Sequence, residues 1–103
     1  MSRFLLEREG HKVRVHLESE LTVSFVPELR ELLCAIHDDG VRDLVLDFSK
    51  TTFLDTAGLS LLLAARNGFS QDGRTLKLEG LQAPLFALLE TLRLEKRLNA
   101  EMG

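Results

Sequence analysis

The chain has 103 residues, 45% hydrophobic and 28% charged, with a formal net charge of -3. That suits one globular domain, residues 1–103, able to bury a core unaided, and the lack of basic excess argues against nucleic acid as a partner. The single cysteine cannot close an internal disulfide, no apolar run approaches the ~18 residues of a membrane span, and Arg3 and Glu7 bring charge too early for a secretion signal, so a cytoplasmic protein without membrane insertion is expected.

Phe4 to Glu7 reads as a first strand, with Glu9-Gly10-His11 as a turn. Lys12 to Leu17 alternates strictly, with Val13, Val15 and Leu17 on one face, the pattern of a half-solvated strand. The two strands are expected to pair as a hairpin. Glu18 to Ser24 is a polar connection broken by Leu21 and Val23. Pro27 suits a first helical position, and Leu29, Leu32, Leu33 and Ile36 form one helical stripe. Glu28 and Glu31 suit its positive end, and Asp38-Asp39-Gly40 ends it.

Leu44 to Phe48 is apolar without alternation apart from Asp47, so it reads as a central strand covered on both faces. A polar loop, Ser49 to Thr52, leads to Asp55-Thr56-Ala57-Gly58 and a helix from Ala57 to about Ser70. Asp and Thr are side chains that satisfy the free N–H groups of a helix start. Gly58 permits close approach to the backbone, and such a helix start can receive an anion. Asp72-Gly73 turns the chain into a strand at Thr75–Glu79, and Pro84 opens a third helix with Leu85, Leu88, Leu89 and Leu92 as its stripe. Leu94 to Leu98 reads as a short helix, followed by a fraying end. Helices between strands imply parallel pairing. The expected fold is α/β: a mixed sheet of four to five strands with an N-terminal β-hairpin and three to four packed helices.

This order resembles the STAS domain, the family of bacterial anti-sigma factor antagonists. The resemblance rests on Leu46-Asp47-Phe48-Ser49, on Phe53-Leu54-Asp55-Thr56-Ala57-Gly58-Leu59 and on Leu62-Leu63. It implies that Thr56 is a phosphorylation site beside Asp55. The implied partner is an anti-sigma factor that is itself a serine/threonine kinase, bound when Thr56 is free and released when it carries phosphate. Thr replaces the commoner Ser, and Ala57 replaces a frequent second Ser. The spelling Asp-Thr-Ala-Gly-Leu also looks like the STAS subunit of phospholipid-transport ATPases and STAS proteins of chemotaxis-type signalling, so a transporter ATPase stands as the alternative partner.

A phosphoryl group would add about -1.5 to -2 charges at Thr56. The helix start would stabilise it and Asp55 would repel it. Along the following helix, Leu59, Leu62 and Leu63 are expected to face the core. Leu61, Ala64 and Ala65 are then surplus apolar surface of the kind that marks protein contacts. The expected docking face comprises Asp55, Thr56, Ser60, Leu61 and Ala64, rimmed by Ser49, Lys50, Thr51 and Thr52.

From the residues alone, Asp55 and Thr56 also read simply as helix caps, and Asp47 as an acceptor ordering the loop. Cys34 reads as a small, partly buried apolar side chain. His11, His16 and His37 lack metal-ligand spacing. Neither a Gly-rich phosphate loop nor a nucleophile elbow is present. Neither a catalytic site, a metal nor a cofactor is expected.

Overall fold

The structure, a computed structural model, describes residues 4–103. The first strands, β1 (Leu5–Glu9) and β2 (Lys12–His16), pair antiparallel from Leu5 opposite His16 to Glu9 opposite Lys12. Gly10 turns the chain at φ +62°, a region open to glycine at little steric cost. Two residues, β3 (Glu20–Leu21), come next and belong to a separate small ladder. Helix α1 (Val26–Asp38) starts one residue before Pro27 and buries Val26, Leu29, Leu33 and Ile36. It stops at Asp39 and Gly40, the latter at φ +80°.

The central strand β4 (Asp43–Asp47) lies parallel to β2, and β6 (Thr75–Leu81) lies parallel to β4 on its other side. Between them come β5 (Phe53–Leu54), parallel to β3, and helix α2 (Thr56–Gln71). Helix α3 (Ala83–Thr91) follows β6, and β7 (Ala100–Met102) closes the sheet, whose order is β1-β2-β4-β6-β7. The parallel pairs and N-terminal hairpin are as predicted.

In-register rows Val13/Leu44/Leu76 and Val15/Leu46/Leu78 make the floor of the core. The buried leucines of all three helices join that cluster. Burying each such side chain stabilises the fold by about 1.5–3 kcal/mol. The opposite face is built differently. Val45 is 4% exposed, yet among the described buried hydrophobics it is the one outside the core cluster. Its row neighbours are Arg14 and Lys77. The next row is His16, Asp47 and Glu79. Covering of both faces of β4 is therefore observed, but on this side it comes from long charged side chains whose stems can shield apolar surface.

Arg14 ties the rows together. Its Nη1 donates to Asp47 Oδ2 at 3.0 Å and its Nη2 to Glu79 Oε1 at 2.6 Å. Lys77 Nζ lies 3.5 Å from Glu79 and 2.8 Å from Glu101, and His16 pairs with Glu7. The bond from Arg14 holds the Glu79 carboxyl below its ordinary 4.5, so its stabilisation is present above that pH and is lost as pH falls through the lower, folded value. The wild-type urea midpoint is expected to drop as pH falls below about 4.5, and Arg14→Met should flatten that drop. A series of urea melts between neutral and acid pH checks this; an equal acid sensitivity in both proteins would count against the pairing.

The chain end differs from expectation. The predicted helix over Leu94–Leu98 is a set of turns with one helical bond, Leu98 N–H to Leu94 O at 3.0 Å. Asn99 stops it at φ +50°, with its amide donating to Leu76 O at 3.1 Å. The following residues form β7 on the sheet edge rather than fraying. Cys34, expected to be partly buried, is exposed.

Candidate functional site

The segment leaving β4 is pinned residue by residue. Asp47 Oδ1 accepts from Ser49 N–H at 2.9 Å, so Asp47 orders the loop as its position predicted. The Gln82 amide donates to Ser49 O at 3.1 Å. The Thr51 hydroxyl donates to Glu18 O at 2.7 Å, and Thr52 N–H to Ser19 O at 2.7 Å. The β3–β5 ladder continues this zipper, with Glu20 opposite Phe53 and Leu21 opposite Leu54.

Asp55 then caps α2. Its Oδ1 accepts from Gly58 N–H at 2.8 Å, and its Oδ2 accepts from Val23 N–H at 2.9 Å. One side chain thus closes the helix start and clasps the connection after β3 to it. The Gly58 bond, seconded by that of Val23, lowers the Asp55 pKa and keeps it a carboxylate. Gly58 makes the clasp sterically possible. A Cβ there would stand 2.6 Å from Leu21 O and 2.9 Å from Leu21 Cγ.

Thr56, the first residue of α2, is exposed. The expectation that the helix start would welcome a phosphate needs correction. Asp55 has already taken the Gly58 N–H, so an added anion on Thr56 meets a carboxylate where the free donor was expected. Its charge would be presented to whatever lies outside.

Ser49, Lys50, Thr52, Ser60 and Ala64 are exposed, as the docking face requires. Three of its expected members are not. Thr51 is 0% exposed, with its hydroxyl consumed by Glu18 O, and is a structural residue. Leu61 is 5% exposed and belongs to the core, whereas Leu59 and Leu63 are only half-buried. The reason is Gly58: its contact with Leu21 and Leu54 sets the rotation of α2, and Leu61 and Leu62 follow it inward at i+3 and i+4. Asp55 is half-buried and spends both oxygens on backbone, so it organises the site more than it offers itself to a partner.

Two residues join the face that sequence reasoning left out. Val23 is 65% exposed and Phe53 is 53% exposed. Val23 is the residue whose N–H Asp55 holds, and Phe53 is exposed two residues before Asp55, so both belong to the segments that lead into the start of α2. Their signal was the interruption of polar connections by isolated apolar residues. Among the described residues no cluster of His, Cys, Asp and Glu could hold a metal ion, and no helix is long and apolar enough to cross a membrane.

This clasped strand-loop-helix, on a mixed sheet with helices on one face, is the arrangement of a known family. The chain belongs to the STAS domain family, matching the description "Mlab, STAS domain" over residues 4–100. It is similar to an anti-sigma-B factor antagonist of Staphylococcus aureus, 28% identical over 89 residues, covering 86% of this chain and 82% of that protein. Its fold is similar to a putative anti-sigma factor antagonist of Thermotoga maritima, with TM-score 0.85 and 13% identity over 94% of this chain and 84% of that one. It is also similar to the Bacillus cell fate determinant SpoIIAA in the phosphorylated form, with TM-score 0.77 and 20% identity over 97% and 90% of the two chains.

Proposed function

We propose that residues 1–103 act as one cytoplasmic domain, an anti-sigma factor antagonist that works by binding and not by catalysis. Its partner is an anti-sigma factor with serine/threonine kinase activity. The unmodified domain holds that partner, and phosphorylation of Thr56 releases it. The observation that carries this reading is the exposed Thr56, seated beside an occupied helix cap, with Val23 and Phe53 exposed on the segments that lead into it. The names of the relatives support it, including that of a structure in a phosphorylated form.

The docking face consists of Val23, Phe53, Thr56, Ser60 and Ala64, with Ser49, Lys50 and Thr52 at its rim. Apolar anchors ringed by polar groups dominate protein contacts. Phe53→Ala is expected to weaken partner binding about tenfold, a loss of about 1.4 kcal/mol, and Ser60→Glu to weaken it further. Both side chains are exposed, so thermal melts should match the wild type. Titration calorimetry against the purified anti-sigma factor tests this, and unchanged affinity in both variants would refute the face.

The spelling Asp55-Thr56-Ala57-Gly58-Leu59 favours one second reading: a constitutive subunit on a transporter ATPase. That reading uses the same face but requires no phosphate on Thr56.

A further inference from the structure

Helix α3 is apolar almost all round. Within Ala83–Thr91, Glu90 is the one charged residue. The Thr91 hydroxyl donates to Ala87 O at 2.9 Å, which turns its polar atom back into the helix. Leu85 and Leu89 fill the core. The neighbouring rows do not: Pro84, Leu88 and Leu92 lie one turn apart, with Ala83, Ala87 and Thr91 alongside, and all six are exposed. Met102 extends this surface. It pairs with the buried Leu81, so it stands on the helix-bearing face of the sheet, on the strand that α3 contacts, and it is exposed. A helix apolar on all sides is normally buried. Here one side faces outward over the about 12 Å from Pro84 to Leu92.

Beyond the stripe the chain turns basic. Arg93, Lys96 and Arg97 are exposed, against one half-buried acid, Glu95. Among the described residues none of the three cations has an ion pair. The whole chain carries a net charge of -3, so this is a cationic end on an anionic molecule. Arg93 also holds an unfavourable backbone conformation. Its φ is +59°, and its N–H bonds Glu90 O while Leu94 N–H bonds Leu89 O, a helix ending that usually employs glycine. A cation suits the negative end of a helix, which accounts for one charge of the three.

Size and charge decide what covers such a surface. A folded protein partner needs about 800 Å² on each side. Leu88, Leu92 and Met102, each only partly exposed, offer a fraction of that. An anionic bilayer needs no such footprint. It receives a short apolar stripe at the level of its headgroups, and cations at the end of the stripe meet lipid phosphates while their stems lie along apolar surface.

We propose that α3 is a membrane-surface contact: the chain docks on bilayers of anionic phospholipid through Leu88, Leu92 and Met102, with Arg93, Lys96 and Arg97 on the headgroups. The contact is peripheral, since no helix among the described residues is long and apolar enough to cross the bilayer. None of these residues belongs to the Thr56 face, and the contact is independent of the function proposed above.

Co-sedimentation of the full chain with vesicles tests this. Binding is expected on vesicles of equal parts phosphatidylglycerol and phosphatidylcholine, and none on phosphatidylcholine alone. It should fall at least about tenfold as salt rises from about 0.05 to 0.5 M. Lys96→Ala with Arg97→Ala should lower the partition coefficient about twentyfold, since each cation near such a surface is worth about fivefold. Lys12→Ala with Arg30→Ala makes the same change in net charge elsewhere and should stay within about threefold of wild type. Arg93→Gly keeps the helix ending, because glycine adopts this φ freely, and should lower binding about fivefold. Leu88→Gln with Leu92→Gln should lower it at least about tenfold. A thermal melt of each variant verifies folding. Failure to bind the anionic vesicles leaves the face to an acidic protein and overturns the proposal. Equal losses in the two cation pairs, or binding indifferent to Leu88 and Leu92, overturn it equally.

Discussion

Thr56→Glu is expected to lower affinity for the anti-sigma partner at least about 100-fold, or about 2.7 kcal/mol. The substitution mimics only part of a phosphoryl charge, yet it sets a carboxylate at the centre of the proposed docking face, where binding would bury a neutral hydroxyl. An unpaired charge desolvated in an interface costs several kcal/mol. The helix start offers less rescue than a bare one, because the Asp55 carboxylate already holds the Gly58 N–H and adds repulsion of its own. Folding should be spared, since acidic residues are tolerated in the first turn of a helix. Thr56→Ala should bind within about threefold of wild type, because the hydroxyl lies exposed and its loss strands no buried group. Calorimetric titration of the three proteins against one partner preparation separates charge from shape.

The second large effect is on stability. Gly58→Ala is expected to destabilise the protein by about 2–3 kcal/mol, near the upper end for overpacking. The new methyl would stand 2.6 Å from the Leu21 carbonyl oxygen and about as close to the Leu21 side chain. Backbone oxygen cannot swing aside as a side-chain end can, so α2 must shift. Its melting temperature should fall by about 10 °C or more. Partner binding should suffer too, because displacing α2 loosens the Asp55 clasp on Val23 and moves Thr56. Gly68→Ala is the control: a Cβ there meets nothing within 4 Å, and helix propensity favours Ala.

Much of the fold was legible because it is written in local patterns. Val13-Arg14-Val15 shows its period, Leu44 to Leu46 shows its burial, and Pro27, Gly40 and Asp55 punctuate helices by their own backbone chemistry. The helix start that carries the candidate site was legible at Asp55, Thr56 and Gly58 for the same reason. What escaped depends on partners distant in sequence. The two-residue strands β3 and β5 carry no period and exist because Leu21 and Leu54 meet. The burial of Thr51 follows from the Glu18 carbonyl that receives its hydroxyl. Leu61 could not be placed inward without the Gly58 contact that rotates α2, since six of the seven residues from Leu59 to Ala65 are apolar and several stripes are equally good. Ala100 to Met102 holds no strand signal beyond an edge left open by β6. The charged cover over Val45 likewise needs the register that brings Arg14 and Lys77 beside it.

The proposed switch is the Thr56 hydroxyl, an acceptor of phosphate that governs binding. The direct measurement is peptide mass spectrometry after incubating the chain with the proposed anti-sigma kinase and ATP. One phosphoryl group on the peptide at Thr56, lost in Thr56→Ala and accompanied by release of the partner, is the predicted result. Sustained binding with Thr56 unmodified, or phosphate placed on another residue, would contradict it.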